Sequence, residues 1–137
     1  MSTRAYIGIK STDGTVTAIY NHSDGGLENL GHLLRKYFKT EDQVRELIDT
    51  GFISSIQDME TYKKCKRSFH SFKDEEWKNL NSVVGIKIHL MPGGESVETF
   101  NNIEDVMGCM ICYVYLFIPE ENKWYYTKGN GLKPLKA

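Results

Sequence analysis

The fold is decided by the opening stretch RAYIGIKSTDGTVTAIYN, residues 4–21. In residues 4–10 every second side chain is aliphatic, which is the period of a strand with one buried face. The dipeptide Asp13-Gly14 separates this run from residues 15–21, which are rich in β-branched and aromatic side chains. Because Asp-Gly between two such runs is a strong hairpin signal, the opening of the chain predicts two antiparallel strands.

Two amphipathic helices are predicted directly after this hairpin. Over residues 27–38 the apolar side chains recur at intervals of three and four, which places them on one face of a helix. A second helix begins after Thr40, because Thr40 and Gln43 have the residue types and spacing of a capping box. Gly51 supplies the left-handed residue that ends this helix.

The rest of the chain predicts shorter elements. They are a strand over 52–56, helices over 59–67 and 74–80, a strand over 83–91, a helix over 103–107, and strands over 110–118 and 123–128. Both faces of the strand over 110–118 are apolar, which indicates a central strand covered on both sides. The order of elements is typical of one α+β domain, residues 1–137, with an antiparallel sheet of about five strands and helices packed on it. A second subunit can cover the extra apolar face, so we expect a homo-oligomer.

Composition excludes several classes of function. The 137 residues carry 17 Lys and Arg against 18 Asp and Glu, so the balanced charge argues against binding of a nucleic acid polymer. The longest strongly apolar run, residues 107–118, is too short to span a bilayer, so we expect no contact with a membrane. The three cysteines and the absence of an apolar segment after Met1 indicate reduced thiols and a cytoplasmic protein.

The densest group of polar side chains lies in IYNHSDGG, residues 19–26, between the second strand and the first helix. One interpretation is a phosphate or small-molecule site, because amides at a helix start attract anions and glycines let a ligand approach the backbone. The residues that would form it are Tyr20, His22, Ser23, Asp24, Gly25 and Gly26. The other interpretation is structural, with Ser23 or Asp24 as a helix cap and His22 as the end of a strand.

Other motifs carry weaker signals. Cys109 and Cys112 have CxxC spacing, but an extended chain points them to opposite faces, so we expect buried structural cysteines and no metal site. The basic and aromatic residues of 62–73 could contact a nucleotide or form a solvated helix face. The sequence lacks the signature of a serine hydrolase, a P-loop or a zinc protease. We therefore expect neither catalysis nor a cofactor.

Three stretches together resemble a family of small phage-encoded proteins. They are STRAYIG (2–8), DGTVTAIYNHSDG (13–25) and YVYLF followed by KWY (113–117 and 123–125), and Gly51–Ser55 matches a G-x-x-S-S element. The chain departs from the family pattern at Gly26, where relatives have a tyrosine followed by a proline. In size, origin and lack of catalytic motifs, the family is similar to immune-evasion sponges that sequester nucleotide second messengers of bacterial defence systems.

The resemblance implies a non-catalytic anti-defence protein of the host-cell cytoplasm that binds a cyclic oligonucleotide or a cyclic ADP-ribose isomer. Arg4, His22 and the amides after Asp24 would contact phosphate, and Tyr20 and Trp124 would stack on the base, while Lys128 would add charge. The complete set of expected ligand-binding residues is Arg4, Tyr20, His22, Ser23, Asp24, Gly25, Gly26, Trp124 and Lys128. Two alternatives are a protein inhibitor of a host enzyme that docks through the aromatic tail, and a nucleotide hydrolase that uses His22 and Asp24.

Overall fold

The structure is a computed structural model that describes residues 3–23, 25–59, 77–90, 97–107, 113–128 and 131–135. Its strands are β1 (Ala5–Lys10), β2 (Val16–Asn21), β3 (Ile53–Asp58), β4 (Trp77–Lys78), β5 (Ile86–Leu90), β6 (Glu98–Phe100), β7 (Tyr113–Ile118), β8 (Lys123–Thr127) and β9 (Lys133–Pro134). A π-helical segment (Leu27–Gly31) continues into α1 (His32–Tyr37), and the other helices are α2 (Glu41–Asp49) and α3 (Ile103–Met107). The predicted α+β class is confirmed.

The predicted opening hairpin is present. Strands β1 and β2 pair antiparallel from Ala5 opposite Asn21 to Lys10 opposite Val16. In the turn, the Asp13 carboxylate accepts hydrogen bonds from both the amide and the hydroxyl of Thr15. These contacts explain why the dipeptide that the sequence singles out forms the turn.

The prediction of an antiparallel sheet of about five strands is wrong in both details. The described strands form one mixed nine-stranded sheet. Eight of them follow the order β4-β5-β3-β2-β1-β7-β8-β9, and the ninth, β6, pairs with β2 outside this order. The pairs β1–β7 and β2–β3 are parallel. The helices between β2 and β3 form a crossover that returns the chain in the same direction, which a parallel pair requires. Periodicity within a strand carries no information about its partner.

Apolar side chains cover both faces of the sheet. On one face, the helices pack against residues from β1, β7 and β8 that include Ile7, Tyr115 and Trp124. On the other face, Val106 of α3 packs with side chains of β2 and β7 such as Leu116. Residues 114–117 of β7 are all buried, which confirms the predicted central strand.

Both helices predicted over residues 27–50 are present, and α2 begins and ends as the sequence predicts. The Thr40 hydroxyl accepts from the Gln43 amide at 3.3 Å, and the Gln43 side chain accepts from the Thr40 amide at 3.2 Å. Gly51 has a φ of 87° and ends α2 as expected. The helix over 103–107 is also present, and the Asn102 side chain accepts from the amide of Asp105.

The middle of the chain differs from its prediction. Trp77 and Lys78 form strand β4 against β5, so the predicted helix over 74–80 is wrong at these positions. Pairing with an ordered neighbouring strand outweighs the weak helical pattern of this short segment. The predicted strand over 83–91 is described as Ile86–Leu90, and Val84 is 84% exposed. The predictions on residues 60–67, on residues 62–73 and on Cys109 and Cys112 lie outside the described residues.

Candidate ligand-binding site

The corner between β2 and the first helix uses its amides to bind neighbouring strands. The His22 amide donates to the Ile53 carbonyl at 3.1 Å, and the Ser23 amide donates to the Ser54 carbonyl at 2.7 Å. The Gly25 amide donates to the Thr3 carbonyl at 2.9 Å. Asp24 lies outside the described residues. The Gly25 amide, one of the amides after Asp24 that were expected to contact phosphate, is therefore bonded within the chain.

Gly25 is required by packing at this corner. A Cβ atom at Gly25 would lie 2.8 Å from the Thr3 carbonyl oxygen and 3.0 Å from the Ala5 Cβ. The buried Tyr115 hydroxyl donates to the Gly25 carbonyl at 2.7 Å, and burial raises the pKa of Tyr115 well above its ordinary value. Gly26 differs, because a Cβ there would have no atom within 4 Å.

Tyr20 lies on β2, and His22 directly follows the end of this strand. The Tyr20 hydroxyl and His22 Nδ1 are 3.0 Å apart, which is hydrogen-bond distance. The Tyr20 ring also contacts Tyr6 and Phe52, with ring centroids 6.0 and 5.9 Å apart. On the neighbouring Asn21, Oδ1 is buried and has no hydrogen-bond partner among the described residues. Tyr20 and His22 are thus engaged mainly with neighbouring side chains.

Trp124 lies on the opposite face of the sheet from Tyr20. Its indole ring packs edge-on against Phe117 and its Nε1–H donates to the Phe38 carbonyl at 2.8 Å. Tyr20 follows Val16 and Ala18 on the face that carries α3. Within one chain the two rings therefore cannot stack on the same base, which corrects that part of the expected site.

Arg4 and Lys128 are exposed at the ends of β1 and β8. The Lys128 ammonium lies 5.3 Å from the centroid of the Tyr113 ring, a cation–π contact on the helix-covered face of the sheet. The structure therefore brings together Tyr20 and His22, whereas Trp124 and Lys128 lie on the other face, where Gly25 contacts Ala5 and Tyr115.

A cavity opens on that helix-covered face. Its volume is about 690 Å³, within the usual range of small-molecule sites. It is lined by His32, Arg35, Lys36, Phe38, Lys39, Asn122, Lys123, Trp124, Pro134 and Leu135. We call this space, between α1 and the strands β8 and β9, the basic cavity.

The charge in the basic cavity has one sign. Arg35, Lys36, Lys39 and Lys123 line it, and no described lining residue carries a carboxylate, although the chain has 18 acidic and 17 basic residues. In the described part of the chain, the side chains of Arg35, Lys39 and Lys123 make no ion pair. Phe38, Trp124, Pro134 and Leu135 supply an apolar wall beside these charges. Cations around an apolar wall are suited to an anion that carries a flat or apolar group.

These cations belong to no motif that predicts a binding site. Their signal is the helical spacing of His32, Arg35, Lys36 and Lys39, which places one cationic stripe on α1 and the turn after it. Such a stripe is ordinarily a solvated helix face. It becomes the wall of a cavity here because the last two strands lie beside it.

Comparison with known proteins finds no match among family models, curated proteins or solved structures. No helix in the described ranges is long and apolar enough to cross a membrane. The described residues also contain no group of three or more His, Cys, Asp or Glu side chains that could hold a metal ion. The geometry and charge of the cavities are therefore the basis for a functional proposal.

Proposed function

We propose that the protein binds a small anionic ligand of the nucleotide class in the basic cavity and holds it without chemical change. The observation that carries this proposal is the segregation of four cations around an apolar wall, with no carboxylate among the described lining residues. Phosphate groups would pair with Arg35, Lys36, Lys39 and Lys123, and the base would contact the apolar wall.

The wall is preorganised for such a ligand. Trp124 is 6% exposed, and its hydrogen bond to Phe38 fixes the strand against the end of α1. A rigid wall reduces the conformational entropy that binding would otherwise cost. The exposed cations Arg35 and Lys39 attract the ligand from solution.

The chemistry of the lining favours binding over turnover. None of the described lining residues has a hydroxyl, thiol or carboxylate side chain, so only histidine and lysine of this lining could act as a nucleophile, an acid or a base. A protein that only sequesters its ligand needs charge and an apolar wall, and it needs no nucleophile.

The biological role that we propose follows from the resemblance to small phage-encoded proteins. In that role the ligand is a nucleotide second messenger of a bacterial defence system, either a cyclic oligonucleotide or a cyclic ADP-ribose isomer. The protein would act in the host cytoplasm as a homo-oligomer and lower the free concentration of the messenger. No cofactor enters this role.

Calorimetry with a panel of cyclic dinucleotides, cyclic trinucleotides and cyclic ADP-ribose isomers tests the proposal. We expect at least one member to bind, and the double variant Arg35→Ala, Lys39→Ala to bind it at least about tenfold more weakly, since two charge-assisted contacts are lost. The control is Arg45→Ala, which removes an exposed, ion-paired cation on α2. Absence of binding to every panel member, or equal binding by all three proteins, contradicts the proposal.

Analysis of the ligand after binding separates the two alternative functions. A sequestering protein returns the ligand unchanged after denaturation, whereas a hydrolase that uses His22 returns its products. An inhibitor of a host enzyme would form a stoichiometric complex with that enzyme. Trp124, the largest side chain of the aromatic tail, is buried and offers no exposed anchor for such a complex.

A further inference from the structure

A second, smaller cavity lies on the same face of the sheet. Its volume is about 120 Å³, and it is lined by Leu27, Tyr126, Lys128, Gly131 and Lys133. Its two charged groups are both lysines, and no described lining residue carries a carboxylate. We call this space the small cavity.

The two cavities are lined by neighbouring residues of the same two strands, β8 and β9. Trp124 lines the basic cavity and Tyr126 lines the small cavity, and these residues lie on one face of β8, about 7 Å apart along the strand. Strand β9 contributes to both, since Pro134 lines the basic cavity and Lys133 lines the small cavity. One ligand of dinucleotide size can therefore reach both cavities.

The small cavity is a suitable site for a single anionic group. The Lys128 ammonium is placed by its contact with the Tyr113 ring, with 5.3 Å between the nitrogen and the ring centroid. Neither Lys128 nor Lys133 makes an ion pair within the part of the chain that the structure describes. Two like charges without a carboxylate repel each other weakly through water, and an anion between them removes that repulsion.

We propose that Lys128 and Lys133 form a second anion subsite, which binds a second phosphate of the ligand held in the basic cavity. The ligand class is then a nucleotide with two separated phosphate groups, such as a cyclic dinucleotide, and a nucleotide with one phosphate binds more weakly. This inference rests on the proposed function, because it concerns the same ligand. The gain arises because the second contact is intramolecular once the first phosphate is bound.

The test compares ligands that differ in the number of phosphates but carry the same base. The probes are cyclic AMP with cyclic di-AMP and cyclic GMP with cyclic di-GMP, measured by calorimetry on the full chain. We expect the wild-type protein to prefer the cyclic dinucleotide of at least one pair. The double variant Lys128→Ala, Lys133→Ala should bind that dinucleotide about tenfold more weakly, and bind the mononucleotide as the wild type does.

A matched variant in the other cavity serves as the control. Lys123→Ala also removes an exposed lysine from β8, and it should weaken both ligands of a pair by a similar factor. The inference is overturned if the wild type binds both ligands and the Lys128, Lys133 variant weakens neither, or weakens both equally. If the wild-type protein binds no nucleotide in this experiment or in the larger panel, the proposed function itself fails. Unchanged thermal unfolding of the variants shows that the effects arise from binding.

Discussion

The Trp124 indole N–H donates a hydrogen bond to the Phe38 carbonyl, and this 2.8 Å contact joins β8 to the end of α1 beneath the basic cavity. Both residues are buried, so the carbonyl has no ready access to solvent when the donor is removed. The contact links the stability of the fold to the shape of the candidate site.

The variant Trp124→Phe tests this link. We expect it to lower the free energy of unfolding by about 1–3 kcal/mol, because a buried carbonyl loses its partner. Ligand binding in the basic cavity should weaken as well, since the wall is no longer fixed. Urea denaturation measures the stability, and Tyr125→Phe is the control, because the Tyr125 hydroxyl bonds to an exposed carboxylate. An equal loss of stability in the two variants would contradict a stabilising role of the hydrogen bond between Trp124 and Phe38.

Neighbouring glycines at the β2 corner should respond differently to the same substitution. Gly25→Ala places a Cβ 2.8 Å from the Thr3 carbonyl oxygen, so we expect a loss of about 1–3 kcal/mol from overpacking. Gly26→Ala meets no atom within 4 Å and keeps an ordinary φ of −72°, so its effect should stay within about 1 kcal/mol. Thermal unfolding of the two variants provides the measurement, and similar melting temperatures would refute the packing role of Gly25.

The hydroxyl of Tyr115 should stabilise the same corner in its neutral form. Tyr115→Phe removes the donor to the Gly25 carbonyl and should cost about 1–2 kcal/mol at neutral pH. Burial raises the pKa of Tyr115, so its contribution to stability is complete below the unfolded pKa near 10 and is lost as the pH rises above it. Denaturation between pH 8 and pH 11 should therefore show a smaller alkaline loss in the variant. A variant with the same alkaline loss as the wild type would exclude this contribution.

The carboxylate of Glu46 should contribute to stability at acid pH. Its pKa is lowered, first by the Ser82 hydroxyl and then by the amide of Asn81, both of which donate to it. This contribution is complete above the ordinary pKa of 4.5 and is lost as the pH falls through the lower folded value. Glu46→Gln should remove that part of the acid dependence, whereas Glu120→Gln in an exposed turn should leave it unchanged. Denaturation curves from pH 6 down to pH 3 measure how the free energy of unfolding of each variant depends on pH. The same acid loss in Glu46→Gln as in the wild type would contradict this contribution of Glu46.

The local elements of this fold were accessible from the sequence, because each depends on residues close together in the chain. The Asp13-Gly14 turn and the capping box of Thr40 and Gln43 are formed as predicted. The short helical pattern over residues 74–80 gave no such agreement, since strand pairing decides the structure of Trp77 and Lys78. The number of strands and their parallel pairs depend on contacts between distant residues, which periodicity does not encode.

The candidate site was less accessible for the same physical reason. Alternation in a strand separates two sets of side chains, but it does not tell which set the helices will cover. Tyr20 and Trp124 therefore looked compatible in sequence, although they lie on opposite faces. The cationic spacing of α1 was visible, but its meaning depends on Pro134 and Leu135, about one hundred positions later.

The dependence of ligand binding on salt distinguishes the basic cavity from an apolar site. Its four cations are exposed, so added salt screens them, and the Debye length falls from about 10 Å at 0.1 M to about 3 Å at 1 M. We expect the affinity to fall steadily over this range, and the fall should be smaller for the variant Arg35→Ala, Lys39→Ala, which has fewer charges left to screen. Arg45→Ala should keep the salt dependence of the wild type, because Arg45 lies on α2 outside the cavity lining. Affinity that is independent of salt would mean that the ligand is held by apolar contacts, and the cations of α1 would then have no part in binding.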